Sequence, residues 1–81
     1  MKYTLLYIDD EDDNLNVFKS TFRHQYTVLT ANSVKAAIPL LREIPVHVII
    51  SDYKMPGENG VEFFKNIKSE WPNIERIILT A

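Results

Sequence analysis

Three aspartates carry the chemistry of this 81-residue chain. Asp9 and Asp10 end the apolar run Tyr3-Thr4-Leu5-Leu6-Tyr7-Ile8, and Asp52 ends the run Val46-His47-Val48-Ile49-Ile50-Ser51. If both runs are neighbouring parallel strands, the acids meet outside the carboxyl ends of the strands, where open α/β sheets bind their ligands. Two carboxylates about 5 Å apart repel by roughly 3 kcal/mol at an effective dielectric near 20, so three together call for a cation or for shifted titration. The candidate ligands are oxygens, because the chain has no cysteine and neither His24 nor His47 has a partner at metal-ligand spacing. An all-oxygen set suits Mg2+, which takes one or two carboxylates and keeps waters and phosphate oxygens. Adjacent on the strand, Asp9 and Asp10 point in different directions, so one can touch the metal while the other works through water. Asp52 is then a candidate nucleophile toward phosphorus, with the metal neutralising charge on the phosphoryl group. Thr80, ending a later apolar run, is placed to hydrogen-bond the phosphoryl oxygens.

The elements that must position these acids alternate between strand and helix patterns, with short connections and no repeat or linker. Such alternation predicts βα units on a parallel sheet. The first strand, about 3–9, is almost continuously apolar, as expected where both faces are covered. Leu15, Phe18 and Phe22 then recur at helical spacing, and Asp12 and Asp13 favour a helix N-terminus, giving a helix over 12–24. A second strand is predicted over 26–31. Asn32 or Ser33 can cap the next helix, which carries Val34, Ala37, Ile38 and Leu41, with a kink or late start expected at Pro39. A third strand, 47–52, leads into the turn-forming loop 53–60. The following helix carries Val61, Phe64, Ile67 and Trp71, with Phe63 at the rim, and Pro72 stops it. A fourth strand is predicted over 75–80. His47 reads as structural, and Phe18, Phe22, Phe63, Phe64 and Trp71 read as core.

Composition narrows the classes of function. A chain of this length makes one domain, and 46% hydrophobic and 25% charged residues are those of an ordinary globular protein. A net charge of −2, with bases scattered among acids, provides no stripe for a phosphate backbone, so no nucleic-acid binding is expected of this segment. The N-terminal apolar run is too short for a signal peptide or membrane span, and with no cysteine the expectation is a cytoplasmic protein away from membranes. A calcium loop starting at Asp10 fails, because its sixth and twelfth positions are Leu15 and Thr21 where glycine and glutamate are needed. A dehalogenase-type phosphatase wants a second acid two residues after its aspartate, and Lys54 stands there. No glycine-rich phosphate loop is present, so an enzyme acting on free small molecules is not expected.

Ile8-Asp9-Asp10-Glu11, then Asp52-Tyr53-Lys54-Met55-Pro56 with Gly60, then Leu79-Thr80-Ala81 together resemble the receiver domain of two-component response regulators. The resemblance spans the whole chain. It implies a flavodoxin-like α/β fold, β-α-β-α-β-α-β with strand order 2-1-3-4, and an Mg2+-dependent phosphoacceptor that is not an enzyme. It implies Asp52 as phosphoacceptor and metal ligand, Asp10 as direct Mg2+ ligand, Asp9 as ligand through water, the Lys54 carbonyl as a further ligand, and Thr80 as the switch hydroxyl. The partners implied are a sensor histidine kinase or phosphotransfer protein and a downstream output domain or effector.

Members of the family are longer, with two further helices and a fifth strand bearing a lysine that pairs with the phosphoryl group. No lysine follows Thr80 here, and Lys54 does not stand at that position. The expectation is therefore that 1–81 is an incomplete receiver domain. Two readings follow: a phosphoacceptor, or a phosphorylation-incompetent interaction and dimerisation module. In either, an isoleucine-rich fourth strand with an unpaired edge invites a homo-oligomer.

Overall fold

The chain folds as its two hydrophobic periods require. In the computed structural model, which describes residues 2–52, 54–55 and 58–79, strand β1 (Thr4–Ile8) is followed by helix α1 (Asp12–Phe22) and strand β2 (Thr27–Ala31). Helix α2 (Val34–Glu43), strand β3 (Val48–Asp52), the short strands β4 (Lys54–Met55) and β5 (Glu58–Asn59), helix α3 (Gly60–Glu70) and strand β6 (Glu75–Leu79) complete it. The four long strands form one parallel sheet in the order β2-β1-β3-β6, which is the expected order 2-1-3-4 with β6 as the fourth strand. The fold is flavodoxin-like, as expected. Among the described residues no helix is long and apolar enough to cross a membrane.

Strand alternation sorts the side chains onto two faces. Leu6, Ile8, Ile49 and Ser51 are completely buried, and the apolar three pack with Ala37 and Leu41 of α2 and with Phe63 and Ile67 of α3. The other face carries Leu5, Tyr7, Val48, Ile50 and Ile77, and α1 covers its β1 side, with the Phe18 ring stacked on Tyr7 at 4.3 Å. Beyond α1 this face opens into a groove of about 620 Å³ lined by residues that include Phe22, Val48, Ile50 and Ile77.

Four expectations need correction or refinement. Helix α2 starts at Val34 and runs through Pro39, with no late start: the Ser33 hydroxyl accepts from the Ala36 N–H at 3.0 Å and fixes the first turn. Phe63 lies in the core at 4% exposure and not at its rim, because it stands four residues before Ile67 and the two share the face of α3 turned to the sheet. Phe18 and Phe22 are half-buried instead of core; they form a ladder with Tyr7 and Tyr26 along the groove. The loop after β3 contains the antiparallel β4–β5 ladder, pairing Lys54 with Asn59 and Met55 with Glu58. Pro56 and Gly57, which stand between its strands in the sequence, lie outside the described residues. Tyr53, Thr80 and the side chains of Val61 and Phe64 lie outside the described residues.

The buried face should dominate stability. Ile49→Ala is expected to cost about 2–5 kcal/mol, whereas Ile77→Ala, at a side chain 47% exposed, should cost less than about 1 kcal/mol in urea unfolding.

Candidate functional site

Parallel pairing sets Ile8 against Ser51, so the next residues, Asp9 and Asp52, leave adjacent strands side by side and on the same face as Tyr7 and Ile50. The strand order reverses between β1 and β3, the switch point at which sheets of this kind bind ligands. The Asp9 amide still donates to the Ala31 carbonyl at 3.2 Å, which holds the end of β1 in the sheet one residue beyond the strand proper. Asp10 follows in the connection to α1.

One oxygen from each of Asp9, Asp10 and Asp52 lies within 4.8 Å of the others, the grouping expected from the sequence. Their environments differ. Asp9 is 2% exposed, Asp52 is half-buried, and Asp10 is open to solvent. Lys54 stands in β4, two residues past Asp52, while Thr80 lies outside the described residues. His47 plays the structural part expected of it: its Nδ1 accepts from the Thr4 amide at 2.9 Å, and its ring meets Tyr3 edge-on.

Two residues that sequence reasoning passed over complete the site. The Tyr7 hydroxyl donates to Asp9 Oδ2 at 2.7 Å, the Asn14 side-chain amide donates to the same oxygen at 3.1 Å, and the Glu11 N–H donates to Asp9 Oδ1 at 3.0 Å. The signal for Tyr7 was its position two residues before Asp9, which puts both side chains on one face of the strand. For Asn14 it was a place in the first turn of the helix that follows the acid pair.

Burial works to raise the Asp9 carboxyl, but the donors from the Glu11 N–H, Tyr7 and Asn14 outweigh it and hold the group below the ordinary value of 3.8. Burial first, then the hydrogen bond to ionised Asp9, pushes the Tyr7 phenol well above its usual range, so its hydroxyl remains a donor at neutral pH. The donor set fits a hard divalent cation: among the described residues it is three carboxylates and no nitrogen or sulfur, with the most exposed of them reachable from water.

Comparisons with known proteins agree on one family. A family model described as the response regulator receiver domain matches residues 5–81. The chain is 40% identical over 78 residues to the hydrogenase transcriptional regulatory protein HoxA of Cupriavidus necator, covering 96% of this chain and 16% of that protein. It is 36% identical to the response regulator SaeR of Staphylococcus aureus, covering 95% of this chain and 34% of that one. This chain thus spans a minor part of these relatives. Among solved structures, a response regulator receiver domain protein from Clostridium thermocellum superposes with a TM-score of 0.89 at 33% identity, over 96% of this chain and 64% of that one. The chemotaxis response regulator CheY4 of Vibrio cholerae gives 0.87 at 26% identity, over 96% and 68%.

The depressed Asp9 carboxyl makes a pH prediction for the metal-free chain. Below the ordinary carboxylate value the unfolded chain binds the proton that folded Asp9 still resists. The stability Asp9 contributes is therefore fully present above pH 3.8 and lost as the pH falls through the lower folded value. Asp9→Asn should flatten that part of the acid limb in urea unfolding followed as a function of pH.

Proposed function

This chain belongs to the response regulator receiver family, and we propose that it is a phosphoacceptor whose Asp52 takes a phosphoryl group from a histidine kinase or phosphotransfer protein. The observation that carries this reading is the meeting of Asp52 with Asp9 and Asp10 at the switch point of the sheet. An Asp52 carboxylate oxygen attacks phosphorus as the bond from phosphorus to the donor's histidine nitrogen breaks, leaving an aspartyl phosphate. Asp10 and Asp52 are the direct ligands we assign to Mg2+, with the Lys54 carbonyl as a third and Asp9 holding a metal-bound water. Magnesium, when bound, neutralises charge on the transferring phosphoryl group. Thr80, which follows β6 in the sequence, is the hydroxyl we assign to the phosphoryl oxygens. The acids hold position through the sheet: Asp52 by the ladders of β3 with β1 and β6, Asp9 by its three donors.

In this reading residues 1–81 are part of a receiver domain, and the phosphorylated state is read by a downstream output domain or effector. The protein works in the cytoplasm. Incubation with magnesium and acetyl phosphate should add one phosphoryl group to the wild type by intact mass, and Asp52→Asn should abolish the gain. No gain in the wild type would overturn the reading in favour of a phosphorylation-incompetent interaction module.

We also infer self-association through β6. Its outer edge has no strand beside it among the described residues, Ile77 lines the apolar groove while 47% exposed, and Leu79, two residues on along the same strand, is 43% exposed. Sedimentation should show concentration-dependent oligomers that Ile77→Lys converts to monomer; a wild type that remains monomeric at high concentration would contradict this.

A further inference from the structure

Asp9 is the buried acid of the site, and the protein has already engaged most of its acceptor capacity. A carboxylate offers about four lone-pair positions. At Oδ2 two are taken, by the Tyr7 hydroxyl at 2.7 Å and the Asn14 amide at 3.1 Å; at Oδ1 one is taken, by the Glu11 N–H at 3.0 Å. The carboxylate plane is thus fixed from both ends, and among the described residues Oδ1 accepts one donor where it can take two.

The Tyr7 hydroxyl is itself held. Its side chain is 6% exposed, its ring stacks on Phe18 at 4.3 Å, and Phe18 packs in turn on Phe22 at 4.8 Å. The hydroxyl therefore sits at the end of a braced lever, and its geometry to Asp9 follows from the packing of α1 on β1. Asn14 approaches from the first turn of α1, where its amide also donates to Glu11 at 3.3 Å. Strand and helix thus each supply one donor to the same oxygen.

We propose that Tyr7, with Asn14, is a positioning residue for the cation site: the two hold Asp9 so that the acceptor position left at Oδ1 among the described residues meets a water of the hydrated cation. The inference rests on the metal reading given above and deepens it. Outer groups that orient ligands in this way typically change metal affinity by about 10–100-fold when removed. Tyr7→Phe keeps the ring and its stacking and deletes only the donor. Without that donor Asp9 can turn, and the water it should receive loses a fixed partner.

The test is a magnesium chloride titration of the whole chain, followed through the backbone amide signals of Asp10 and Glu11 in NMR spectra. Tyr7→Phe should weaken the apparent affinity by about tenfold. The same substitution in an Asp9→Asn background should weaken it no further, because Tyr7 acts only through that carboxylate. A general loosening of the fold would instead add its full cost in both backgrounds. Asn14→Ala, on the exposed side of α1, should show the same dependence on Asp9 and serves if Tyr7→Phe fails to fold. Equal affinity in wild type and Tyr7→Phe, or a loss that persists undiminished with Asp9→Asn, would overturn the inference while leaving the metal site intact. A wild type that shows no magnesium response would overturn the metal reading itself, and this inference with it.

Discussion

Everything functional in this molecule depends on the register in which β1 lies beside β3. Leu5 pairs with Val48 and Ile8 with Ser51, so the pairing of the two strands ends one residue short of Asp9 and Asp52. A slip of one residue would turn Leu6, Ile8, Ile49 and Ser51 away from the helices that bury them and carry the acids to the opposite face. Burial of those side chains and placement of the carboxylates are therefore one event. The hydrophobic effect supplies the register, and the register supplies the site.

The same coupling explains why like charges can be concentrated here. Asp9 is taken out of water only because three donors meet it, two from the connection to α1 and its first turn and one from β1. Asp10 stays in solvent, where its charge is screened, and Asp52 is shared between the strand end and the open cleft. A cation then finds one acid that is oriented, one that is hydrated and one that carries the proposed chemistry. The graded exposure gives each carboxylate a different task despite identical chemistry.

The face of the sheet beside α1 is built on other terms. Its apolar residues line a groove that α1 closes on one side only, and the aromatic ladder from Tyr7 to Tyr26 runs along that side. The ladder braces Tyr7 while Ile77 lines the far side, half exposed. The interior that positions Asp9 and the surface proposed for self-association are thus two ends of one apolar layer.

Much of this was legible from the sequence. Apolar runs with period two and helical runs with period 3.6 gave the element order, and acids at two strand ends gave the site, because both patterns are local consequences of backbone geometry. A cap at Asn32 or Ser33, of which the structure uses Ser33, and His47 as a structural residue were also readable from type and place. That Phe63 lies in the core and not at its rim was not: one residue on a helix turns a side chain by 100°, and only the packing of α3 on the sheet sets which way Phe63 points. Nor was the continuation of α2 through Pro39, where capping and burial of Ala37 and Leu41 outweigh a local penalty. The donors to Asp9 were decided by tertiary structure as well. Tyr7 and Asn14 are seven residues apart on different elements, and they converge on one oxygen only when α1 packs against β1. The sequence by itself determined which residues could do chemistry; the packing of helix on strand decided which of them hold the others in place.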